Sequence, residues 1–184
     1  MNGFVLRVST ATDVAAIGAI YAHHVLSGFG SFEEMPPSAD EISRRRDAVL
    51  ALGLPFLVAA EGDRVLGYAY AQPYRPRSAY RFSLEDSIYV APDCMRRGIG
   101  QALLAELVER CTKLGHRQMV AVIGDSANLA SIRLHEKLGF ARIGVLPAVG
   151  FKHGRWVDSV LMQHALGQGA KSLPAAKPPQ AASA

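Results

Sequence analysis

Glu85 opens the run Glu85-Asp86-Ser87-Ile88-Tyr89-Val90, which stops at Pro92 and leads through Arg96-Arg97 into Gly98-Ile99-Gly100-Gln101. A carboxylate on a strand, within reach of an amine, can accept the proton that an ammonium must lose before it becomes a nucleophile. The other reading of Glu85 is a purely electrostatic site for the ammonium. The glycines suit a second task. A helix N-terminus carries unpaired N–H groups and partial positive charge, and glycine lets a phosphate approach that backbone without meeting a Cβ. With ionic contacts from Arg96 and Arg97, residues 96–101 predict a phosphate site. No Gly-Lys-Ser/Thr is present, which excludes a nucleotide-hydrolase loop, and Leu103 stands where a dinucleotide fingerprint needs its third glycine. Alone, Gly98-x-Gly100 reads equally well as a tight turn.

Arg75 and Arg77 flank Pro76, with Tyr80 close by. The planar guanidinium fork suits a carboxylate or phosphinate; the bland alternative is a solvated basic loop. Two residues apart, the arginines do not face one pocket equally, so Arg77 is expected as the direct contact and Arg75 as partly indirect. Metal binding finds no support. His135-Glu136-Lys137-Leu138-Gly139 lacks the second histidine of a zinc-protease helix, and His23 and His24 are adjacent and cannot face one site. Cys94 and Cys111 have no ligand spacing. Cys111 falls on an apolar helical stripe and reads as buried; Cys94, in a loop, reads as a candidate for exposure.

The elements that must position these groups follow from periodicity. Residues 4–8 alternate as a strand, and Val14, Ile17, Ile20, Tyr21 and Val25 recur at helical spacing over 12–26. Residues 28–33 form an irregular loop. Ser38 with Glu41 is a capping-box signature for a second helix running to about Leu52. Strands at 55–60 and 64–71 are joined by Glu61-Gly62-Asp63. Next come a loop at 72–81, a strand at 83–90, a helix at 98–114 stopped by Gly115, a strand at 118–123 and a helix at 128–138 stopped by Gly139. Strands near 140–146 and 156–164 complete one sheet, with Gly150–Gly154 reading as a hairpin turn. The fold class is therefore α+β, or mixed α/β. After Leu166 the composition collapses to Ala, Pro, Lys, Gln, Ser and Gly, so the expected domain is 1–166 and 167–184 a disordered tail.

Composition sets the remaining bounds. The chain has 184 residues, 49% apolar and 20% charged, which suits one soluble domain. Apolar stretches are broken well before membrane-spanning length. The first residues lack a secretory pattern, so the cytoplasm is the expected location. The net charge of +4 comes from scattered residues, with Arg44-Arg45-Arg46 on a solvated helix face, and gives no case for nucleic-acid binding. Two cysteines make no disulfide framework, which fits a reducing compartment.

A second segment, Asn128-Leu129-Ala130-Ser131-Ile132-Arg133-Leu134-His135-Glu136-Lys137-Leu138-Gly139-Phe140, follows the glycine loop after one intervening strand. Together the two segments resemble the coenzyme-A-binding signature of the GNAT N-acetyltransferase superfamily. The resemblance implies the acyl-CoA N-acyltransferase fold, a mixed, mostly antiparallel sheet flanked by helices, with acetyl-CoA as cosubstrate. It places the CoA pyrophosphate on Arg96, Arg97, Gly98, Ile99, Gly100 and Gln101. It places the pantetheine arm along Ile88, Tyr89 and Val90, with Asn128 against it. Met95 departs from the family's usual Gln or Arg, which implies altered contacts there. His135 takes a position where the family often has Tyr near the leaving sulfur, as proton donor, water holder or structural histidine.

Tyr74-Arg75-Pro76-Arg77-Ser78-Ala79-Tyr80, the run from Ser83 to Val90, and Val149-Gly150-Phe151-Lys152-His153-Gly154-Arg155-Trp156 resemble the phosphinothricin N-acetyltransferase branch, which includes methionine sulfoximine and methionine sulfone acetyltransferases. That branch implies Glu85 as base and an amino-acid pocket built from Phe32, Arg75, Arg77, Tyr80, Glu85, Asp86 and Ser87. Lys152 would reach substrate across a subunit boundary in a homodimer.

Overall fold

The computed structural model describes residues 3–174. Seven strands, β1 (Val5–Val8), β2 (Phe56–Glu61), β3 (Arg64–Pro73), β4 (Ser83–Val90), β5 (Gln118–Gly124), β6 (Ala141–Lys152) and β7 (Arg155–Ala165), form one sheet in the order β1-β2-β3-β4-β5-β7-β6. All neighbours are antiparallel except β4 and β5. The helices are α1 (Val14–Ser27), α2 (Ala39–Ala51), α3 (Ile99–Lys113) and α4 (Leu129–Lys137). The single parallel pair is the one whose crossover is a helix, as a β-α-β connection requires.

β3 decides which helix covers which face. Its side chains alternate between Gly67, Ala69 and Ala71 on one face and Tyr68 and Tyr70 on the other, following the period of a strand. On the small face α3 comes close: a Cβ on Gly67 would lie 3.2 Å from Ile99 Cγ2 and 2.9 Å from the Tyr89 carbonyl oxygen. On the other face an aromatic stack, Phe56, Tyr70, Tyr68 and Tyr89, reaches Tyr21 of α1. Leu103, Leu104, Leu107 and Cys111 bury the inner stripe of α3 completely. Each such leucine stabilises the fold by about 1.5–3 kcal/mol relative to exposure.

The structure differs from the sequence expectation in five places. Arg46 leaves the solvated face expected for residues 44–46: it is buried and donates to Ser9 Oγ at 2.8 Å and the Ser9 carbonyl at 2.6 Å. Ser38 caps α2 by accepting from Glu41 N at 3.2 Å, but the Glu41 carboxylate pairs with Arg44 and Arg45, so only half of a capping box forms. β6 and β7 are longer than expected and turn tightly through His153-Gly154, because Gly144, Val145 and Leu146 to Lys152 continue the ladder past an irregularity. Cys94 is buried, with its sulfur beside Arg64 and Asp93. Order also continues past Leu166. Gly169–Lys171 forms a short 3-10 turn, and the Arg117 guanidinium donates to the Ser172 carbonyl at 2.7 Å and the Leu173 carbonyl at 3.0 Å. These polar contacts do not depend on apolar burial, which is why composition did not indicate them. The rest of the expected tail, 175–184, lies outside the described residues.

Candidate active site

The β4–β5 ladder pairs Ser83 with Gln118, Leu84 with Met119 and Glu85 with Val120, and ends there. β5 continues against β7 to Gly124, and β4 continues against β3 to Val90. The two parallel strands therefore part beyond Glu85. The gap opens into a cleft of about 600 Å³ whose walls are the ends of β4 and β5, the loop before α3, and α4. Backbone groups of residues 86–90 that face β5 are left without partners from that strand. His24 Nε2 donates to one carbonyl at the cleft's end, that of Val90, at 2.9 Å, a role for which no sequence signal exists.

The loop before α3 is shaped for close approach. Gly98 is the N-cap of α3, with φ +78° and no side-chain cap, so the N–H groups of the first turn remain available. Glycine is needed there for the left-handed backbone. At Gly100 the need is space: a Cβ would lie 3.3 Å from Leu134 Cδ2 and 3.6 Å from Val90 Cγ2, between the two walls. Met95, Arg96, Ile99 and Gln101 line the same cleft. Arg97 does not. Its guanidinium donates to Glu61 at 3.1 Å in an exposed pair, because the left-handed turn at Arg96 sends consecutive side chains apart. Asn128 lines the cleft and caps α4, its Oδ1 accepting from Ser131 N at 3.2 Å.

Glu85 lies at the point where the strands part and is half-buried in the cleft wall. Burial, then the neighbouring Asp86 charge, push its carboxyl above the ordinary carboxylate range, against smaller opposing effects of Gln72 and the positive charge of Arg75. A carboxylate raised in this way is a better proton acceptor near neutral pH. The positive charge of Arg75 acts on Glu85 from the turn between β3 and β4. Its guanidinium lies 5.0 Å over the Tyr74 ring, and Tyr74 meets Tyr80 edge-on at 5.8 Å. The Arg77 carbonyl accepts from Tyr80 N at 3.0 Å in the short turn between β3 and β4. None of Arg75, Arg77 and Tyr80 lines the cleft itself; Phe32, Asp86 and Ser87 do.

His135 is held at both nitrogens. Nδ1 donates to the Ser131 carbonyl at 2.7 Å, and Nε2 meets Asp86 Oδ2 at 3.1 Å, with both side chains buried. Burial favours the neutral ring, but the hydrogen bond and charge of Asp86 outweigh it and raise the imidazole above its ordinary value. His135 is thus held between the Ser131 carbonyl and Asp86, with both ring nitrogens engaged. Asp86 Oδ1 is buried without a partner among the described residues. The pairing spans 49 positions in sequence, so spacing gave no hint of it.

Lys152 is 1% exposed and donates to the Ser31 carbonyl at 2.7 Å. Burial pushes its ammonium below the ordinary lysine value. It is therefore bonded within its own chain, to the loop between α1 and α2. Val122, Ile123 and Gly124 of β5 complete the wall. Sequence reasoning missed them, although a strand that follows a phosphate-site helix and runs parallel to the strand before it must form the opposite side of the gap.

The acetyltransferase (GNAT) family matches residues 17–140, which run from α1 to just past α4 and include the whole of the glycine loop, Glu85 and His135. This chain belongs to the GNAT acetyltransferase family. Within it, the chain is 54% identical over 169 residues to a phosphinothricin N-acetyltransferase of Alcaligenes faecalis, covering 92% of this chain and 86% of that protein. It is 38% identical over 158 residues to an L-methionine sulfoximine/L-methionine sulfone acetyltransferase of Salmonella typhimurium, covering 86% and 92%. The crystal structure of a GNAT phosphinothricin acetyltransferase from Sinorhizobium meliloti in complex with AcCoA superposes with a TM-score of 0.91 at 48% identity, over 95% of this chain and 94% of that one. The expected GNAT fold, a mixed, mostly antiparallel sheet flanked by helices, is the observed one.

Proposed function

We propose that this GNAT acetyltransferase transfers the acetyl group of acetyl-CoA to the amine of a small amino-acid-like acid such as phosphinothricin, methionine sulfoximine or methionine sulfone. The observation that carries the reading is Glu85: a carboxyl with a raised proton affinity at the point where β4 and β5 part, with the Arg75 charge on its side. The relatives' named substrates, and the acetyl-CoA complex of the S. meliloti enzyme, support the same reading.

The residues present fit acetyl-CoA. The free N–H groups at the start of α3, the Cβ-free surfaces at Gly98 and Gly100, and Arg96 would hold its pyrophosphate. Residues 88–90 and the amide of Asn128 would run beside its arm. When bound, it supplies an activated acetyl thioester. Glu85 accepts the proton of the substrate ammonium, directly or through water, and releases it to solvent. Ser87 shares the Glu85 face of β4. Arg75 draws the acid end of the substrate toward that face and, by charge, opposes too high a proton affinity at Glu85. Arg77, in the same turn, shares that task. A thiolate of cysteine-like basicity needs little acid assistance to depart, so the main task of His135 is to keep Asp86 in place through its hydrogen bond. With phosphinothricin as acceptor, masking of its amine is the basis for expecting herbicide resistance.

The assay is acceptor-dependent release of free thiol from acetyl-CoA. In Arg75→Ala the KM for acidic acceptors should rise by about tenfold or more, with acetyl-CoA unaffected. Equal kinetics of that variant on every acceptor would remove Arg75 from the acceptor site.

We also propose a homodimer, supported by an exposed apolar surface on β6 and β7. Ile143, Val149, Phe151 and Trp156 are each more than half exposed, and β6 is an open edge strand twelve residues long. Apolar edges of this kind are normally covered, and a second copy presents the same edge about a two-fold axis. Light scattering should give about twice 19.7 kDa. Phe151→Glu should shift the protein to monomer, and a monomeric wild type at assay concentration would contradict the proposal. No helix among the described residues is long and apolar enough to cross a membrane. We place the protein's work on a small molecule in the cytoplasm, without a nucleic-acid partner.

A further inference from the structure

The loop between α1 and α2, residues 28–33, contributes Gly30 and Phe32 to the cleft lining. It has no regular structure, yet it is fastened on every side. Tyr21 OH meets Ser31 Oγ at 2.8 Å and donates to Glu33 Oε1 at 3.0 Å, and Arg45 holds Glu33 at 2.6 Å. Phe29 lies under the Arg155 guanidinium at 3.9 Å. Lys152 is the least expected fastening. Burying a lysine is costly unless its charge is paired, and here it donates to one backbone carbonyl, that of Ser31, next to Phe32.

Two glycines on the facing strands receive the loop. A Cβ on Gly150 would fall 2.4, 2.7 and 2.9 Å from three carbons of the Phe32 ring, and a Cβ on Gly124 would fall 1.9 Å from the Phe29 carbonyl oxygen. Neither glycine has a positive φ, so backbone conformation does not call for glycine at either position. Close approach does. Gly150 and Lys152 stand two residues apart on β6 and act on adjacent loop residues. One leaves room for the Phe32 ring and the other ties down the backbone that carries it.

We propose that Gly150 and Lys152 are positioning residues that set acceptor selectivity from behind the site, by fixing how far the Phe32 ring projects into the cleft. The inference rests on the acceptor reading given above, since Phe32 matters only if the acceptor lies against it. Neither residue touches substrate in this account. A bulkier residue at 150 pushes the ring toward the acceptor, and loss of the Lys152 ammonium frees the loop to recede.

The test compares wild type, Gly150→Ala, Phe32→Ala, the double variant Gly150→Ala/Phe32→Ala, and Lys152→Met, with phosphinothricin, methionine sulfone and a shorter amino acid as acceptors. Gly150→Ala should raise the KM for the longer acceptors roughly ten- to hundredfold, more than for the short one, because displacement of a wall by about 1 Å is felt at that scale. The KM for acetyl-CoA should stay within about twofold. In the Phe32→Ala background the Gly150→Ala change should add nothing to either acceptor kinetics or melting temperature, because the ring it would strike is gone. That pairing keeps the test decisive even if Gly150→Ala alone folds poorly. Lys152→Met should flatten the preference among acceptors without moving acetyl-CoA. Additive effects in the double variant, or equal changes for all acceptors and for acetyl-CoA, would overturn the inference. A folded wild type that acetylates none of the panel would overturn the acceptor reading, and the selectivity claim with it, before any variant is compared.

Discussion

Glu85→Gln should lower turnover at pH 7 on the order of 10²–10⁴-fold while leaving acetyl-CoA binding at its wild-type value. Glutamine keeps the shape of the side chain but cannot accept the ammonium's proton. The pH profile follows from the sign of the shift. Burial and the Asp86 charge raise the Glu85 carboxyl above the ordinary carboxylate range, so wild-type kcat/KM should fall as pH drops through that raised value. The variant should lack this limb, and its deficit should shrink at high pH, where more of the amine is already neutral. Stability moves the other way. An acid with a raised folded pKa has its ionised form disfavoured by folding, so its charge costs stability at pH values above its unfolded pKa and the cost fades on acidification. Glu85→Gln should therefore melt at or above the wild-type temperature at pH 7. A variant that loses activity together with stability would mean the side chain is structural.

Gly100→Val carries the second large effect. The added methyl groups start 3.3 Å from Leu134 and 3.6 Å from Val90, so they fill the gap between β4 and α4 where the start of α3 meets the cleft. The apparent constant for acetyl-CoA should rise roughly 10²-fold or more, the equivalent of losing about two charge-assisted hydrogen bonds to the α3 N-terminus, while the acceptor constant changes little. Gly98 is the complementary case, because a Cβ there meets nothing within 4 Å. Its substitution acts through the left-handed backbone, at about 1–2 kcal/mol, and Gly98→Ala should weaken acetyl-CoA less than Gly100→Val. Unchanged acetyl-CoA affinity in folded Gly100→Val would remove the cofactor from this loop.

What could be read in advance was what is local in sequence. The helices carry their own periodicity and stops, and Gly98 and Gly100 declare a helix N-terminus. Glu85 sits on a strand whose end is marked by Pro92. The long-range pairings were not legible. Asp86 and His135 meet only because α4 crosses the gap left by β4 and β5, and that meeting engages a ring that the sequence leaves open as proton donor, water holder or structural histidine. Lys152 looked like a reaching side chain because lysine is usually solvated; the glycine two residues earlier was the hint that the loop at 28–33 comes down on this strand. Arg97 followed Arg96 in sequence and was assigned with it, yet a single left-handed residue separates their directions and gives Arg97 to Glu61.

The central claim is that Glu85 and the cleft beside it serve acetyl transfer to a small amino acid. The direct measurement is free-thiol release from acetyl-CoA by the wild-type protein, with phosphinothricin, methionine sulfoximine, methionine sulfone, a polyamine and an N-terminal peptide supplied in turn. Rapid release with one or more of the small acids, little with the polyamine or peptide, and loss of the signal in Glu85→Gln is the predicted result. Release driven best by the polyamine or peptide, or acetyl-CoA binding with no acceptor-dependent release at all, would contradict it.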